Sequence, residues 1–282
     1  APPSGGRPSA HGMETIETEE RDMAGTRTTV VTGAASGIGA ATAARLTAQG
    51  ERVIGVDLAG TDVDADLSTP EGRAAMVDAV AALADGPIDA VVANAGSAAP
   101  VAATVRINFF GAVGTLEGLR PLMAGSSAPR AVITSSMASF MPHDDELVDA
   151  MLADDVDAAV ARAEALVDAG EQPAQQIYGS TKHALNRWMR TVAPTDDWAG
   201  AGIPLNAVGP GVIETPMTAD LTATEEGRDM LAQAVPMPLG GYGQPEEVAE
   251  LIVWLASPAN SKTTGQVIFI DGGADVVLRG PT

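Results

Sequence analysis

From Thr28 onward, hydrophobic and polar positions fall into two alternating textures. Short runs rich in β-branched residues, "TTVVT", "RVIGVD", "IDAVVAN", "RAVITSS", "IPLNAVG" and "QVIFIDGG", predict strands. Alanine-rich stretches with helical spacing lie between them, among them "GAATAARLTAQG" and "PEEVAELIVWLA". The latter has Pro245 in its first turn with Glu246 and Glu247 beside it, and Val248, Leu251, Ile252 and Leu255 on one face. Proline and acids suit a helix start, and the apolar stripe predicts burial of that face. Strand–helix alternation predicts an α/β fold with one doubly wound parallel sheet, which binds ligands outside the carboxyl ends of its strands.

Two stretches break the rhythm. Residues 1–27 are rich in Pro, Gly, Ser and charge without periodicity, and read as a disordered leader or cloning remnant. Residues 140–176 read as an inserted helix or helical pair, with an apolar stripe through Leu147, Met151, Val156, Val160 and Leu166. Such a stripe predicts packing against the domain or a second subunit; shaping a substrate site is the sharper alternative.

Composition narrows the function classes. The formal net charge of −21 opposes binding to nucleic acid or an anionic membrane, because phosphates would be repelled. With no cysteine, disulfides, thiolate catalysis and thiolate metal sites are excluded. His11, His143 and His183 have no metal-ligand spacing, so no metal is expected. Without a long apolar span or a signal-like segment, the expected location is cytoplasmic.

Candidate chemistry begins at "TVVTGAASGIGAATAARL", where Gly33, Gly37 and Gly39 stand between a strand and a helix. Glycines allow a sharp turn and close approach of a pyrophosphate, and the helix N-terminus offers free N–H groups and partial positive charge. Asp57 closes the next strand, where an acid can accept hydrogen bonds from the adenosine ribose hydroxyls. A carboxylate there repels a 2′-phosphate, and Ala34, Ala35 and Ser36 supply no cation to offset it, so NAD (NADH) is favoured over its phosphorylated counterpart. Further along, "YGSTK" places Lys182, one of only two lysines, one helical turn after Tyr178.

Together these motifs resemble the short-chain dehydrogenase/reductase family over nearly the whole chain from Thr28. They keep the family's order: Thr32–Gly39 as phosphate turn, Asp66–Leu67, "NAG" at Asn94–Gly96, Asn108 in "INFFGA", Ser136 in "ITSSMAS", Tyr178 with Lys182, "PGVIET", and "IDGG". The resemblance implies a Rossmann-type domain over 28–282, with a substrate lid at 216–238 rich in Met217, Leu221, Met230, Leu231 and Met237. Ser136 and Tyr178 stand 42 positions apart, far more than is usual in the family, and the stretch from Asn94 to Asn108 is short. Both departures, with "DADLSTPEGR" and "EALVDAGEQ", resemble the bacterial 3α-hydroxysteroid dehydrogenase/carbonyl reductase subgroup.

The resemblance implies catalytic roles for Asn108, Ser136, Tyr178 and Lys182. It implies cofactor contacts for Gly33, Ser36, Gly37, Ile38, Gly39, Asp57, Leu58, Asp66, Leu67, Asn94, Ala95, Gly96, Pro210, Gly211, Ile213 and Thr215, besides Tyr178 and Lys182. Tyrosine, with an ordinary pKa of about 10, needs help to trade protons near neutrality. A lysine ammonium on the same helix face favours the phenolate. Ser136 would hold the substrate oxygen, with Ser135 as competitor, and Asn108 would either hold a water linked to the lysine or cap or kink its helix. The implied activity is NAD(H)-dependent interconversion of a secondary alcohol and a ketone. A bulky apolar substrate such as a steroid or cyclic or aryl ketone is expected, in a homo-oligomer, dimer or tetramer. A diol or sugar-alcohol dehydrogenase, or a catalytically silent NAD-binding sensor or scaffold, are the alternatives.

Overall fold

Seven strands, all parallel, line up in the order β3-β2-β1-β4-β5-β6-β7. They are β1 (Thr28–Thr32), β2 (Arg52–Asp57), β3 (Val63–Asp64), β4 (Ala90–Ala93), β5 (Arg130–Thr134), β6 (Leu205–Pro210) and β7 (Val267–Ile270). The computed structural model describes residues 26–281, so the expected leader lies outside the described residues up to position 25. Arg27, counted in that leader by its sequence texture, instead belongs to the fold. Its guanidinium donates to the carbonyls of Ala128 and Ala256 and pairs with Glu51.

Side chains alternate across each strand, so both sheet faces are apolar and both are covered. Val30, Val91, Ile133 and Leu205 face a layer that includes α2 (Pro70–Leu83), α4 (Ala112–Leu119) and α7 (Glu171–Val192). Val31, Val92, Val132 and Val208 lie under α1 (Gly37–Ala48) and α10 (Pro245–Ala256). In α10, Val248, Ile252 and Leu255 are buried as the stripe predicts, while Leu251 is half-buried at its margin. The reciprocal capping box of Gln244 and Glu247 starts that helix beside Pro245. The strand that sequence texture missed, β3, is only two residues long and has no room to show a period.

The order of strands reverses between β1 and β4, and a crevice opens there at their carboxyl ends. Asn94, just past β4, spans it: its amide nitrogen donates to the Thr32 carbonyl, and its amide oxygen accepts from the Thr134 hydroxyl. Helix α3 (Ala103–Val105) runs through a π-helical stretch, Arg106–Gly111, into α4. The helix therefore begins earlier than "RINFFGA" and carries Asn108 in its wider turn.

The inserted region is a helical pair, α5 (Asp145–Leu152) and α6 (Val156–Asp168), followed by α7, which begins within the span assigned to the insertion. Asp144 and Asp155 cap the pair by accepting from the backbone N–H groups of Leu147 and Ala158. Leu147, Val148 and Met151 are fully buried, worth about 1.5–3 kcal/mol each. On α6 the buried face runs through Ala159, Ala163 and Leu166, whereas Val156 and Val160 are only half-buried. The predicted stripe is thus displaced by one residue there, because alanines let α6 approach the body closely. The pair packs on α7 and on the start of the α3–α4 helix, within the chain's own core. In the lid region, α8 (Ala219–Ala223) and α9 (Glu225–Ala234) bury only Gly227, leaving Met217, Leu221 and Met230 exposed.

Candidate active site

The glycine turn after β1 is a cradle of backbone. Gly33 (φ +69°) and Gly37 (φ +52°) take left-handed conformations that disfavour side chains. Gly39 has an ordinary helical conformation, yet a Cβ there would collide with the Gly33 carbonyl and the Asn94 amide. Ser36, Gly37, Ile38 and Gly39 open α1, whose first N–H groups lack helical partners. Thr215 lies against this helix start: a Cβ on Gly37 would meet its Cγ2 at 3.3 Å.

Asp57, at the end of β2, accepts from the Ala35 N–H (3.0 Å) and the Leu58 N–H (2.7 Å), one to each carboxylate oxygen. Each oxygen keeps a lone pair for a hydroxyl. Leu58 is 70% exposed beside it, an apolar surface next to the acid. Asp66 is held ionised by hydrogen bonds from Ser68, and the carbonyl of buried Leu67 accepts from Arg73 at 3.0 Å. The side chain of Asn94 is committed to β1 and β5, and the Ala95 N–H donates to the Thr32 hydroxyl, so these two act as scaffold. Gly96 leaves room for its neighbours: a Cβ would sit 3.0 Å from Asn108 Oδ1 and 3.8 Å from Lys182 Nζ.

Across the crevice, Pro210 ends β6 and Gly211 packs against the backbone of Asp271 beyond β7. Ile213 is buried and its carbonyl accepts from the Thr218 hydroxyl, which also lies 3.5 Å from Thr215 Oγ1.

Ser136 stands two residues past β5, capping a short 3-10 turn, Met137–Phe140, by accepting from the Ala138 N–H (3.1 Å). Strand β5 ends at Thr134 rather than running through the serine as expected, because the chain leaves the sheet to make this turn. The Ser136 side chain lies beside Tyr178 and favours its phenolate, whereas the Ser135 hydroxyl is buried without a partner. Tyr178 and Lys182 share a stripe of α7, with Nζ 5.8 Å from the phenol ring centroid and donating to the Thr134 carbonyl at 2.8 Å. Asn108 donates to the Ser97 carbonyl (2.9 Å) and the Thr181 hydroxyl (3.1 Å) and accepts from the Ser97 N–H (2.8 Å). One lone pair remains on its amide oxygen, and that is the only part of the side chain left to hold a water.

Protein groups alone do not lower the tyrosine's pKa. Burial raises it above the ordinary value, and the neighbouring Ser136 side chain only partly opposes this. Lys182 is pushed down to about 8 by burial. Below that value the ammonium is charged and can favour the phenolate; above it the amine is neutral and no longer does so. The help that Lys182 gives to proton transfer is therefore expected to fall away as pH rises through about 8, in both directions of reaction. A profile of kcat/KM against pH in both directions checks this, and two flat profiles would contradict it. Folding obeys the same linkage: the unfolded lysine binds its proton more tightly, so the penalty for burying it is full below about pH 8 and lifts toward ~10.4.

Sequence reasoning passed over Thr181, Gly179 and the Thr134 carbonyl. Thr181 donates to the Tyr178 carbonyl at 2.7 Å and meets Asn108, and its signal was a threonine three residues after Tyr178, the spacing of backbone back-bonding.

The chain matches the family model described as short chain dehydrogenase over residues 27–148 and the one described as Enoyl-(Acyl carrier protein) reductase over 163–275. It is 36% identical over 253 residues to the 3-alpha-hydroxysteroid dehydrogenase/carbonyl reductase of Comamonas testosteroni, covering 89% of this chain and 97% of that one. The chain belongs to the short-chain dehydrogenase/reductase family. The span between the two model matches, 149–162, falls inside the α5–α6 pair. The cis-4-hydroxycyclohexanecarboxylate dehydrogenase of Sinomonas cyclohexanicum is 34% identical over 268 residues, with 89% and 97% coverage. A crystal structure of the 3-alpha-hydroxysteroid dehydrogenase of Pseudomonas sp. B-0831, complexed with NADH, superposes with a TM-score of 0.82 at 38% identity. It covers 90% of this chain and 99% of that one. Among the described residues of this short-chain dehydrogenase/reductase, no helix is long and apolar enough to cross a membrane, and no cluster of three or more His, Cys, Asp or Glu residues could hold a metal ion.

Proposed function

We propose that this short-chain dehydrogenase/reductase interconverts a secondary alcohol and a ketone with NAD(H), and that its substrate is bulky and apolar. The observation that carries the reading is the convergence of Ser136, Tyr178 and Lys182 beyond β5, beside a glycine cradle and an acid fitted to a ribose diol. A bound nicotinamide cofactor supplies or takes up the hydride. Ser136 holds the substrate oxygen, and Tyr178 gives it a proton or removes one. Lys182 favours the phenolate while it is charged, and Asn108 fixes the Ser97 backbone against Thr181. Gly33, Ser36, Gly37, Ile38 and Gly39 would hold the phosphates, Asp57 and Leu58 the ribose, Asp66 and Leu67 the adenine, and Ile213 and Thr215 the carboxamide.

Support for an apolar substrate comes from the wall next to Ser136. Met137, Val212 and Val235 form a buried cluster there, with Met141, Leu231, Met237, Tyr242 and Phe269 packed against it. Methionines suit a surface that adapts to apolar ligands. Such a wall fits a steroid or cyclic or aryl ketone. Two relatives are named for hydroxyl groups on ring carbons, which agrees with this choice. We further propose a cytoplasmic homo-oligomer, dimer or tetramer; exposed Trp254, Val276 and Val277 are candidates for the subunit contact.

A screen of steroids, aryl ketones and small diols with NADH and NAD⁺ tests the reading, and turnover confined to diols would overturn it. In the same assay Asp57→Ala is expected to narrow the preference for NADH over NADPH by about 10-fold or more, the worth of a hydrogen bond to a charged group. An unchanged ratio would mean that the carboxylate does not read the ribose.

A further inference from the structure

Ser136 and Tyr178 reach the site on different elements, with the α5–α6 pair between them in the chain. No short connection sets their spacing, so packing must. Helical periodicity puts Gly179 and His183 on the stripe of α7 next to that of Tyr178 and Lys182, about 100° around the axis. This second stripe faces the chain leaving Ser136. A Cβ on Gly179 would lie 3.2 Å from the Ala138 carbonyl oxygen and 3.3 Å from that of Pro142, so the turn rests almost on the helix backbone.

Two histidines fasten it there. His183 Nδ1 is 3.1 Å from the Ser139 carbonyl, and His143 Nδ1 is 3.2 Å from that of Met141. Carbonyls only accept, so both Nδ1 atoms carry the hydrogen. The rings stack at 4.0 Å with their planes 16° apart. Next to them the Asp144 N–H donates to the Ser180 hydroxyl at 2.9 Å, and its carboxylate takes two bonds from Arg162 of α6. Burial holds His183 below the usual histidine range, which keeps this ring a neutral donor.

We propose that His183 is a positioning residue: through its bond to the Ser139 carbonyl and its stack on His143, it fixes the turn carrying Ser136, and so the place of the Ser136 hydroxyl beside Tyr178. The inference rests on the roles proposed for those two hydroxyls and deepens them. It also gives the inserted helices a task, since they anchor the His143–Asp144 end of the clamp.

The test compares wild type, Tyr178→Phe, His183→Ala and His183→Asn, the last retaining a side-chain N–H donor near the Ser139 carbonyl. Ketone reduction, NADH binding by fluorescence titration and amide hydrogen exchange over residues 137–143 are measured. His183→Ala is expected to lose about 10–100-fold in kcat, since a misplacement of ~1 Å costs on that scale, with NADH affinity within about twofold and exchange over 137–143 about 10-fold faster. His183→Asn is expected to recover most of both. Normal kcat in His183→Ala alongside an inactive Tyr178→Phe overturns the clamp alone, as does an asparagine variant no better than alanine. A wild type that reduces no ketone overturns the activity reading alone; the exchange comparison still decides the clamp, and equal exchange in wild type and His183→Ala sinks it.

Discussion

Tyr178→Phe is expected to lower turnover in both directions by about 10²–10⁴-fold while NADH binds as before. The substitution removes one oxygen from a half-buried ring, so the shape of α7 and the glycine cradle stay as they are. What disappears is the hydroxyl beside Ser136 that is proposed to exchange a proton with the substrate oxygen. Lys182 is not expected to substitute for it, because its ammonium is engaged with the Thr134 carbonyl, 5.8 Å from the ring centroid. Steady-state rates with a reactive ketone, together with an NADH titration, check this. Full activity would end the assignment of Tyr178 as proton donor.

Gly39→Ala is expected to produce the opposite pattern, with binding lost first. The added methyl would occupy the position of the Gly33 carbonyl and press on the Asn94 amide, the one backbone and the other a side chain bonded at both its nitrogen and its oxygen. The turn must move away from α1, which costs about 1–3 kcal/mol of overpacking and displaces the amide groups that would hold the phosphates. We expect NADH affinity to fall by about 100-fold, ~2.7 kcal/mol, with the melting temperature lower as well. Isothermal titration and a thermal melt measure both effects. Wild-type affinity would show that the phosphates are held elsewhere.

Much of this architecture is readable before any coordinates. Strands β1, β2, β4, β5 and β7 each carry a β-branched run that stands out, β6 is visible as the short apolar stretch "IPLNAVG", and α10 shows its cap and stripe together. Strand β3 was invisible because two residues carry no period. On α6 the expected stripe included Val156 and Val160, yet Ala159 and Ala163 face inward; hydrophobicity ranks valine above alanine, but close helix approach favours the smaller residue. The motif residues were legible as types at spacings. Their partners were not, since the bonds of Lys182 to Thr134 and of Asn108 to Ser97 and Thr181 join positions distant in sequence. Neither could the direction of the tyrosine's pKa be read from spacing, because it depends on burial as well as on charge. His183 looked like the residue after a lysine until the fold laid it against His143.

Asn94 has one further consequence. Its amide bolts the first strand to the fifth across the place where the sheet order turns, so the floor of the crevice has a set gauge. Helices α8 and α9, by contrast, bury only one residue, Gly227. In the lid role that the family resemblance implies for these helices, adaptation to differently shaped molecules would be confined to the roof, and the dinucleotide seat could stay constant while what sits above it varies.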